Sequence, residues 1–189
     1  MKHVASILLA SLLLACSPQP DYEQSVREFQ ALKNDGDLEG LIKLFADEPT
    51  LNFGPLGSIE GRPAVRGILE YDLALNTHLE FGDCATDGRE VSCTVVESND
   101  WLRTAGIVSI TYDENRFAFG EDGRIESVAA TLSAESQQLM GAAVGEFHEW
   151  AVSTRPAEYG ELFSAEGAFV YSRANAEKVL LLLSAWQAE

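Results

Sequence analysis

The sequence predicts an α+β fold, in which three helices are followed by a curved antiparallel sheet and then by a second helical region. Three observations indicate this. Apolar residues recur at steps of three and four as far as Leu69, alternating apolar runs follow from His78 to Thr131, and helical spacing returns after Leu132. A chain of 189 residues, 46% of them hydrophobic, is long enough for one well-buried domain with an extension.

Three helices are expected before the sheet. The first ends at residues 34–36, where Asn, Asp and Gly follow one another, and Asp37 can cap the second. Pro49 should end the second helix, ahead of a short strand over residues 50–53, and Pro63 suits the first turn of the third. Their apolar stripes are Tyr22, Val26, Phe29 and Leu32; Leu38, Leu41, Ile42 and Phe45; Val65, Ile68 and Leu69.

The sheet is predicted from runs in which apolar and polar residues alternate. Turn signals at Asp87-Gly88, at residues 113–115 and at residues 121–123 separate these runs, as in an antiparallel meander. The predicted strands are 78–85, 90–99, 104–112, 115–120 and 124–132.

Two further helices are predicted beyond the sheet. One follows the stripe Met140, Val144, Phe147 and Ala151 and is interrupted at residues 154–156. The other covers residues 174–187, and its four successive leucines make it apolar nearly all round, so it should be buried. We expect residues 133–189 to form a helical extension that packs on the same body.

The run from residue 34 to residue 67 carries a recognisable order of motifs. An N-D-G-D helix end precedes a helix with L-I-K-L-F-A-D-E, and a short strand, an I-E-G turn and a third helix follow. This order resembles the nuclear transport factor 2-like superfamily, which includes SnoaL-like and ketosteroid-isomerase-like proteins. The resemblance covers residues 25–132 and implies a cone-shaped sheet with a pocket between sheet and helices. Because that superfamily contains enzymes, ligand binders and interaction domains, it does not give the function.

The first residues have the layout of a secretory signal. Residues 1–15 contain one cation, Lys2, and an apolar run that is too short to span a bilayer. Leu13-Leu14-Ala15-Cys16 resembles the bacterial lipobox, so we expect Cys16 to be the lipid-modified N-terminus, followed by a short tether over residues 16–24. Ser17 in place of Asp favours the outer membrane, with the domain in the periplasm close to the bilayer.

Charge and motifs restrict the cofactors and partners. The formal charge of −17 repels phosphate backbones, so nucleic acid is not an expected partner. His78 and His148 lack zinc-ligand spacing, and the sequence contains no glycine-rich phosphate loop. We therefore expect no metal and no cofactor.

Steroid isomerisation is expected to be absent. The resemblance to ketosteroid isomerases places their base at Phe53, their oxyanion tyrosine at Phe29 and their protonated aspartate at Asn115. Two phenyl rings can neither take nor give a proton. Phe29 and Phe53 then either line an apolar pocket or belong to the core, and Asn115 is also a candidate pocket residue.

A cluster of polar residues marks a second candidate for the pocket. Glu97 and Asn99 alternate onto the same face of their strand as the apolar residues before them, and Trp101 follows. A carboxylate on an apolar face would have a raised pKa and could serve as a general base. More often, such a residue lies at the solvent-exposed end of its strand. Tyr112 and His78 are possible companions.

A disulfide between Cys84 and Cys93 is the last prediction from the sequence. With Cys16 lipidated, two thiols remain in an oxidising compartment. They flank Asp87-Gly88, but a simple turn there would pair Cys84 with Val91. The bond therefore requires a longer loop or a bulge near residues 89–90.

Three functions remain open. The first is a non-catalytic binder of a small hydrophobic ligand, anchored in the envelope by lipid. The second is a structural or interaction protein of the envelope, in which the extension fills the cavity and the sheet meets a partner protein. The third is an unassigned enzyme that uses Glu97, Asp100, His78 or Tyr112. The sequence does not indicate an oligomeric state.

Overall fold

The computed structural model describes residues 20–54 and 57–188. The predicted signal peptide, the lipidation site Cys16 and the tether as far as residue 19 lie outside these residues. Within the part that is described, no helix is long and apolar enough to cross a membrane.

The chain forms a six-stranded, curved and unclosed sheet with helices packed on it. The strand order is β2-β1-β6-β5-β4-β3, and neighbouring strands are antiparallel except for the parallel pair β1 and β6. The elements are α1 (Tyr22–Asp35), α2 (Leu38–Leu44), β1 (Phe45–Asn52), β2 (Ser58–Glu60), α3 (Arg62–Ala74), β3 (His78–Asp87), β4 (Glu90–Ser98), α4 (Asp100–Thr104), β5 (Ile110–Phe119), β6 (Ile125–Leu132), α5 (Ala134–Thr154), α6 (Pro156–Gly160) and α7 (Arg173–Trp186). This is the α+β architecture that the sequence predicted.

Side-chain and glycine caps fix the first two helices where the sequence placed their ends. The Asp21 carboxylate accepts a hydrogen bond from the backbone of Gln24, and Gly36 ends α1 with a φ of 77°. Asp37 caps α2 by accepting from the backbone N–H of Gly40 at 2.9 Å. Phe45, expected in this helix, instead begins β1.

Pro49 does not end a helix, because it lies inside strand β1. The register of β1 against β6 shifts between Phe45 and Thr50, so the strand is irregular where proline cannot donate a hydrogen bond. A strand of eight residues therefore replaces the four-residue strand that the sequence predicted.

The predicted turn at residues 113–115 is also absent. Residues 110–119 form one strand, β5, whose register against β4 shifts where Asn115 pairs with Cys93 and Tyr112 pairs with Val95. The polar residues mark a bulge that bends the strand, since an extra residue disrupts the ladder locally. Helix α4 covers residues 100–104, and the strand that was predicted to begin at residue 104 begins only at Ile110.

The disulfide between Cys84 and Cys93 is confirmed, with the two Cα atoms 4.1 Å apart. Its predicted register was wrong, because Gly88 and Arg89 form the turn and Asp87 pairs with Glu90. Gly88, with a φ of 59°, occupies the first turn position, as in type II′ hairpins. The bulge lies between Gly82 and Ala85 on β3, and not near residues 89–90.

Two apolar clusters form the core. The first lies inside the cone and includes Phe45, Phe117 and Phe119. The second joins α4 and the start of β5 to the helical extension and includes Leu102, Phe147 and Leu183. The extension thus packs on the cone. Complete burial of the leucine run is wrong, because Leu181 is 73% exposed while Leu182 and Leu183 are buried.

Helix α1 covers the outer edge of the sheet along β3. The Asn34 side chain accepts from the backbone N–H of Leu79 and donates to its carbonyl, both at 2.9 Å. Gln30 accepts from the backbone N–H of Phe81 at 3.1 Å. At Leu79 and Phe81, backbone groups on the free edge of β3 are therefore hydrogen-bonded by side chains of α1.

Candidate functional site

A cavity of about 460 Å³ lies between the mouth of the cone and the helical extension. The cone contributes side chains from the end of β1, from α3, β4, α4 and β5, and the extension contributes α5, α6, α7 and the segment before α7. Val144 and Tyr171 are the large lining residues most exposed to solvent and mark its mouth. Its aromatic lining residues are Phe53, Tyr71, Trp101, Tyr112, Phe147, Tyr159, Phe163, Phe169 and Tyr171.

Glu97, Asn99 and Tyr112 form the polar floor of the cavity. Asn99 donates its side-chain N–H to Oε1 of Glu97 at 2.8 Å, and the Tyr112 hydroxyl donates to Oε2 at 2.8 Å. The other end of the Asn99 amide accepts from the backbone N–H of Leu102 and so caps α4. Both carboxyl oxygens of Glu97 are therefore held in place by residues with fixed positions.

Burial governs the ionisation of this floor. Burial raises the pKa of the Glu97 carboxyl, and the charge of Asp72 raises it further, whereas the hydrogen bonds from Tyr112 and Asn99 and the charge of Lys33 lower it. Burial also raises the pKa of the Tyr112 phenol well above its usual value, assisted by Glu97. Glu97 keeps part of its surface open to the cavity, where a ligand could reach it.

Lys33 and Asp72 form an ion pair beside the floor. Nζ of Lys33 lies 2.6 Å from Oδ2 of Asp72, and the lysine side chain is 2% exposed whereas that of the aspartate is 32% exposed. Asp72 lines the cavity and Lys33 does not. The pair therefore presents its anionic member to a ligand.

Aromatic rings form a continuous wall across the extension. Tyr71 of α3 contacts Phe169 and Tyr171 edge to face, with ring centroids 5.6 and 5.4 Å apart. The wall continues from Phe169 to Phe163 and from there to Tyr159. Such edge-to-face pairs stabilise a fixed arrangement of rings.

The structure brings together five of the seven residues that the sequence proposed for the pocket. Phe53, Trp101 and the three floor residues line the cavity. Phe29 lies in the first core cluster, where its ring centroid is 5.3 Å from that of Phe117. Asn115 lies farther along β5, opposite Cys93, and does not line the cavity.

The remaining candidates lie elsewhere. His78 lines a separate open groove of about 600 Å³ on the outside of the sheet, together with Arg103 and Val108. Asp100 forms an ion pair with Arg103 and does not line the cavity. Nδ1 of His148 lies 2.9 Å from the Tyr159 hydroxyl, which supports a structural role. Among the described residues, no group of His, Cys, Asp and Glu side chains could hold a metal ion.

The sequence analysis missed Asp72 and the aromatic wall. Ile68, Asp72 and Leu75 lie on one helical face at steps of four and three, so the spacing on α3 was a usable signal for Asp72. Residues 161–172 have no periodic pattern, and nothing local in them indicates contact with α3.

Solved structures establish the fold. SalBIII, an epoxide hydrolase/cyclase-like enzyme described in pyran ring formation in the polyether salinomycin, matches with a TM-score of 0.55 at 18% identity, over 61% of this chain and 92% of that one. A nuclear transport factor 2-like protein of unknown function from Cytophaga hutchinsonii matches with a TM-score of 0.51 at 17% identity, over 62% and 94%. A SnoaL-like protein of unknown function from Burkholderia thailandensis matches with a TM-score of 0.50 at 17% identity, over 60% of this chain and 95% of that one.

The chain therefore has the cone fold of the nuclear transport factor 2-like superfamily, and the resemblance read from the motif order is confirmed. No protein-family model and no curated protein matches the sequence. At the identities of the solved structures, the likeness is one of fold and does not extend to activity.

Proposed function

We propose that this protein is a lipid-anchored protein of the bacterial envelope that binds a small, largely apolar molecule in the cavity and does not transform it. The observation that carries the proposal is the cavity of about 460 Å³, which is lined by many aromatic side chains and few polar groups. Ligand sites are typically concave, mostly apolar, and provided with a small number of placed polar groups.

Two features support the location in the envelope. Cys16 follows Leu13-Leu14-Ala15 after an apolar run, as in bacterial lipoproteins. The disulfide between Cys84 and Cys93 suits an oxidising compartment outside the inner membrane. An outer-membrane anchor facing the periplasm remains the expectation because Ser17 stands where an aspartate would signal retention at the inner membrane.

A second candidate function, an enzyme that moves a proton, is favoured by one observation. Glu97 lies in the cavity with a raised pKa and a hydrogen bond from Tyr112. Buried carboxyl groups tuned in this way are common in active sites. The binding function is preferred because Phe29 and Phe53 stand where the resembling isomerases need an acid and a base.

Binding of a neutral fluorescent probe tests the proposal. N-phenyl-1-naphthylamine, which brightens in apolar surroundings, should bind the native protein saturably. Val144→Trp places an indole at the cavity mouth and should weaken probe binding by about tenfold. Val152→Trp is the matched control, since Val152 lies on the same helix with 49% exposure, close to the 46% of Val144, but outside the cavity.

Equal probe binding by the native protein and by Val144→Trp would overturn the proposal. Turnover of a ligand bound in the cavity, lost in Glu97→Gln, would instead establish the enzyme.

A further inference from the structure

The charges that face the cavity are all of one sign. Its charged lining residues are Asp72 and Glu97, and none of the lining side chains is Lys, Arg or His. An anionic ligand would therefore lose its hydration on entry without gaining a cationic partner. A ligand with a positive charge would meet two carboxyl groups.

Asp72 has unused capacity as an acceptor. Its Oδ2 accepts from Lys33, whereas its Oδ1 makes no hydrogen bond within residues 20–54 and 57–188. Lys33 is held behind this contact, with 2% of its side chain exposed, so it compensates Asp72 without entering the cavity. A donor on a ligand could reach the free side of the Asp72 carboxylate.

The aromatic wall lies beside these carboxyl groups. Tyr71 precedes Asp72 in α3, and the Asp72 charge contributes, after burial, to the raised pKa of both Tyr71 and Tyr171. Aromatic faces attract cations, and the attraction is stronger at sites that are partly shielded from water, as this cavity is. An aromatic wall can therefore contact both the cationic head of a ligand and the hydrocarbon chain attached to that head.

The charge of the whole molecule acts in the same direction. A formal charge of −17 raises the local concentration of cations around the protein. This field is largely screened beyond about 8 Å at physiological ionic strength, whereas a partly buried site is screened much less. A difference in affinity between cationic and neutral ligands, measured at that ionic strength, therefore reports on the cavity and not on the charge of the whole protein.

We infer that the cavity selects an organic cation, a protonated amine or quaternary ammonium that carries an apolar group. The inference rests on the proposed function and gives it a class of ligand. The positive head lies between Asp72 and Glu97 near the face of Tyr71, and the apolar group contacts the wall formed by Phe169, Phe163 and Tyr159. The same cavity excludes the corresponding carboxylate.

Three probes with alkyl chains of similar length and different heads test this. Octyltrimethylammonium, 1-octanol and octanoate are titrated calorimetrically into the native protein at physiological salt and a pH of about 8. The ammonium should bind about tenfold more tightly than the alcohol, and octanoate should bind most weakly.

Two glutamates provide the matched variants. Glu97→Gln should remove most of the preference for the ammonium over 1-octanol, and circular dichroism shows whether the variant is folded. Glu28 is exposed on α1, so Glu28→Gln makes the same change of charge away from the cavity and should keep the preference.

Each outcome bears on the inference. Equal binding of ammonium and alcohol, tightest binding of octanoate, or loss of the preference in Glu28→Gln would overturn it while leaving the proposed function intact. Absence of binding by all three probes would overturn both. If Glu97→Gln does not fold, the ranking on the native protein still decides.

Discussion

Glu97 shows how a single residue combines ordinary strand chemistry with an unusual environment. It is one step of the alternation along β4, whose inward side chains before it are Val91, Cys93 and Val95. At the next inward position the sheet reaches the cavity, so a carboxyl group replaces an apolar side chain. The hydrogen bonds from Asn99 and Tyr112 keep this group in place.

The raised pKa of Glu97 leads to a pH-dependent stability. A carboxyl whose pKa is higher in the folded state than its ordinary value of 4.5 binds its proton more tightly on folding. Its contribution to stability is complete below that value and is lost as pH rises through the folded pKa. As the pH rises from about 5 to about 8, the stability of Glu97→Gln should therefore increase relative to that of the native protein.

Urea unfolding at both pH values measures this, with Glu28→Gln as the control that should show no such trend. Asp72 and Lys33, which also face Glu97, remain unchanged in both variants. A stability difference that is the same at both pH values would show that Glu97 is ionised to the same extent in the folded and unfolded chains.

At the scale of elements, Gly67 determines how closely the extension approaches α3. A Cβ built on Gly67 would lie 2.7 Å from the backbone carbonyl oxygen of Tyr171, which cannot move aside as a flexible side chain could. The segment before α7 therefore contacts α3 at a point where any larger residue would displace it. The aromatic wall depends on this contact.

Gly67→Ala should consequently destabilise the protein by about 1–3 kcal/mol, the usual range for overpacking. Gly141→Ala is the matched control, because Gly141 also lies within a helix and its Cβ would meet nothing within 4 Å. There the helix propensity of alanine should raise stability by up to about 1 kcal/mol. Thermal or urea unfolding of both variants compares them, and equal effects would contradict the close approach.

Local signals predicted the elements better than their pairing. Asp37, Gly36 and Pro63 act within one turn of chain, so the ends of α1 and the starts of α2 and α3 could be read directly. The parallel pairing of β1 with β6 joins residues far apart in sequence, which no local pattern contains. The prediction that Pro49 ends a helix was wrong for the same reason, because a strand accepts a proline only where the pairing with its neighbour is irregular, as it is here between β1 and β6.

Only part of the candidate site could be predicted from local sequence signals. Glu97, Asn99, Trp101 and Tyr112 could be predicted because they lie near the end of one strand and the start of the next. The wall formed by residues 159–171 could not, since it becomes part of the site only when the extension packs on the cone. Asn115 was assigned from the resemblance to ketosteroid isomerases, and in the structure it lies opposite Cys93, away from the cavity.

At the scale of the whole molecule, the cone and the extension share one apolar core region around the cavity. The second cluster takes Leu75, Trp101 and Ile110 from the cone and Phe147 and Val179 from the extension. The extension is therefore part of the folded body and forms one side of the cavity. The charge of −17 is then carried mainly by the outer surface, which favours solubility.

The expected attachment of this body to a membrane depends on Cys16. Cys16→Ala should prevent lipidation and move the protein from the membrane fraction to the soluble fraction, because acyl chains on Cys16 are the expected anchor. Fractionation followed by a salt wash, with mass determination of the mature N-terminus, measures this. A variant that stays with the membranes and is processed like the native protein would contradict the prediction.

The contacts of α1 with β3 have a consequence for how copies of the protein meet. Unpaired backbone groups along a sheet invite strand addition by another chain, which is a common route to aggregation. Asn34 and Gln30 occupy those groups at Leu79 and Phe81, and at the opposite side of the sheet β2 has only three residues. Two amide side chains thus stand in for a missing strand over the first part of β3, where another copy of the protein would otherwise find free backbone groups.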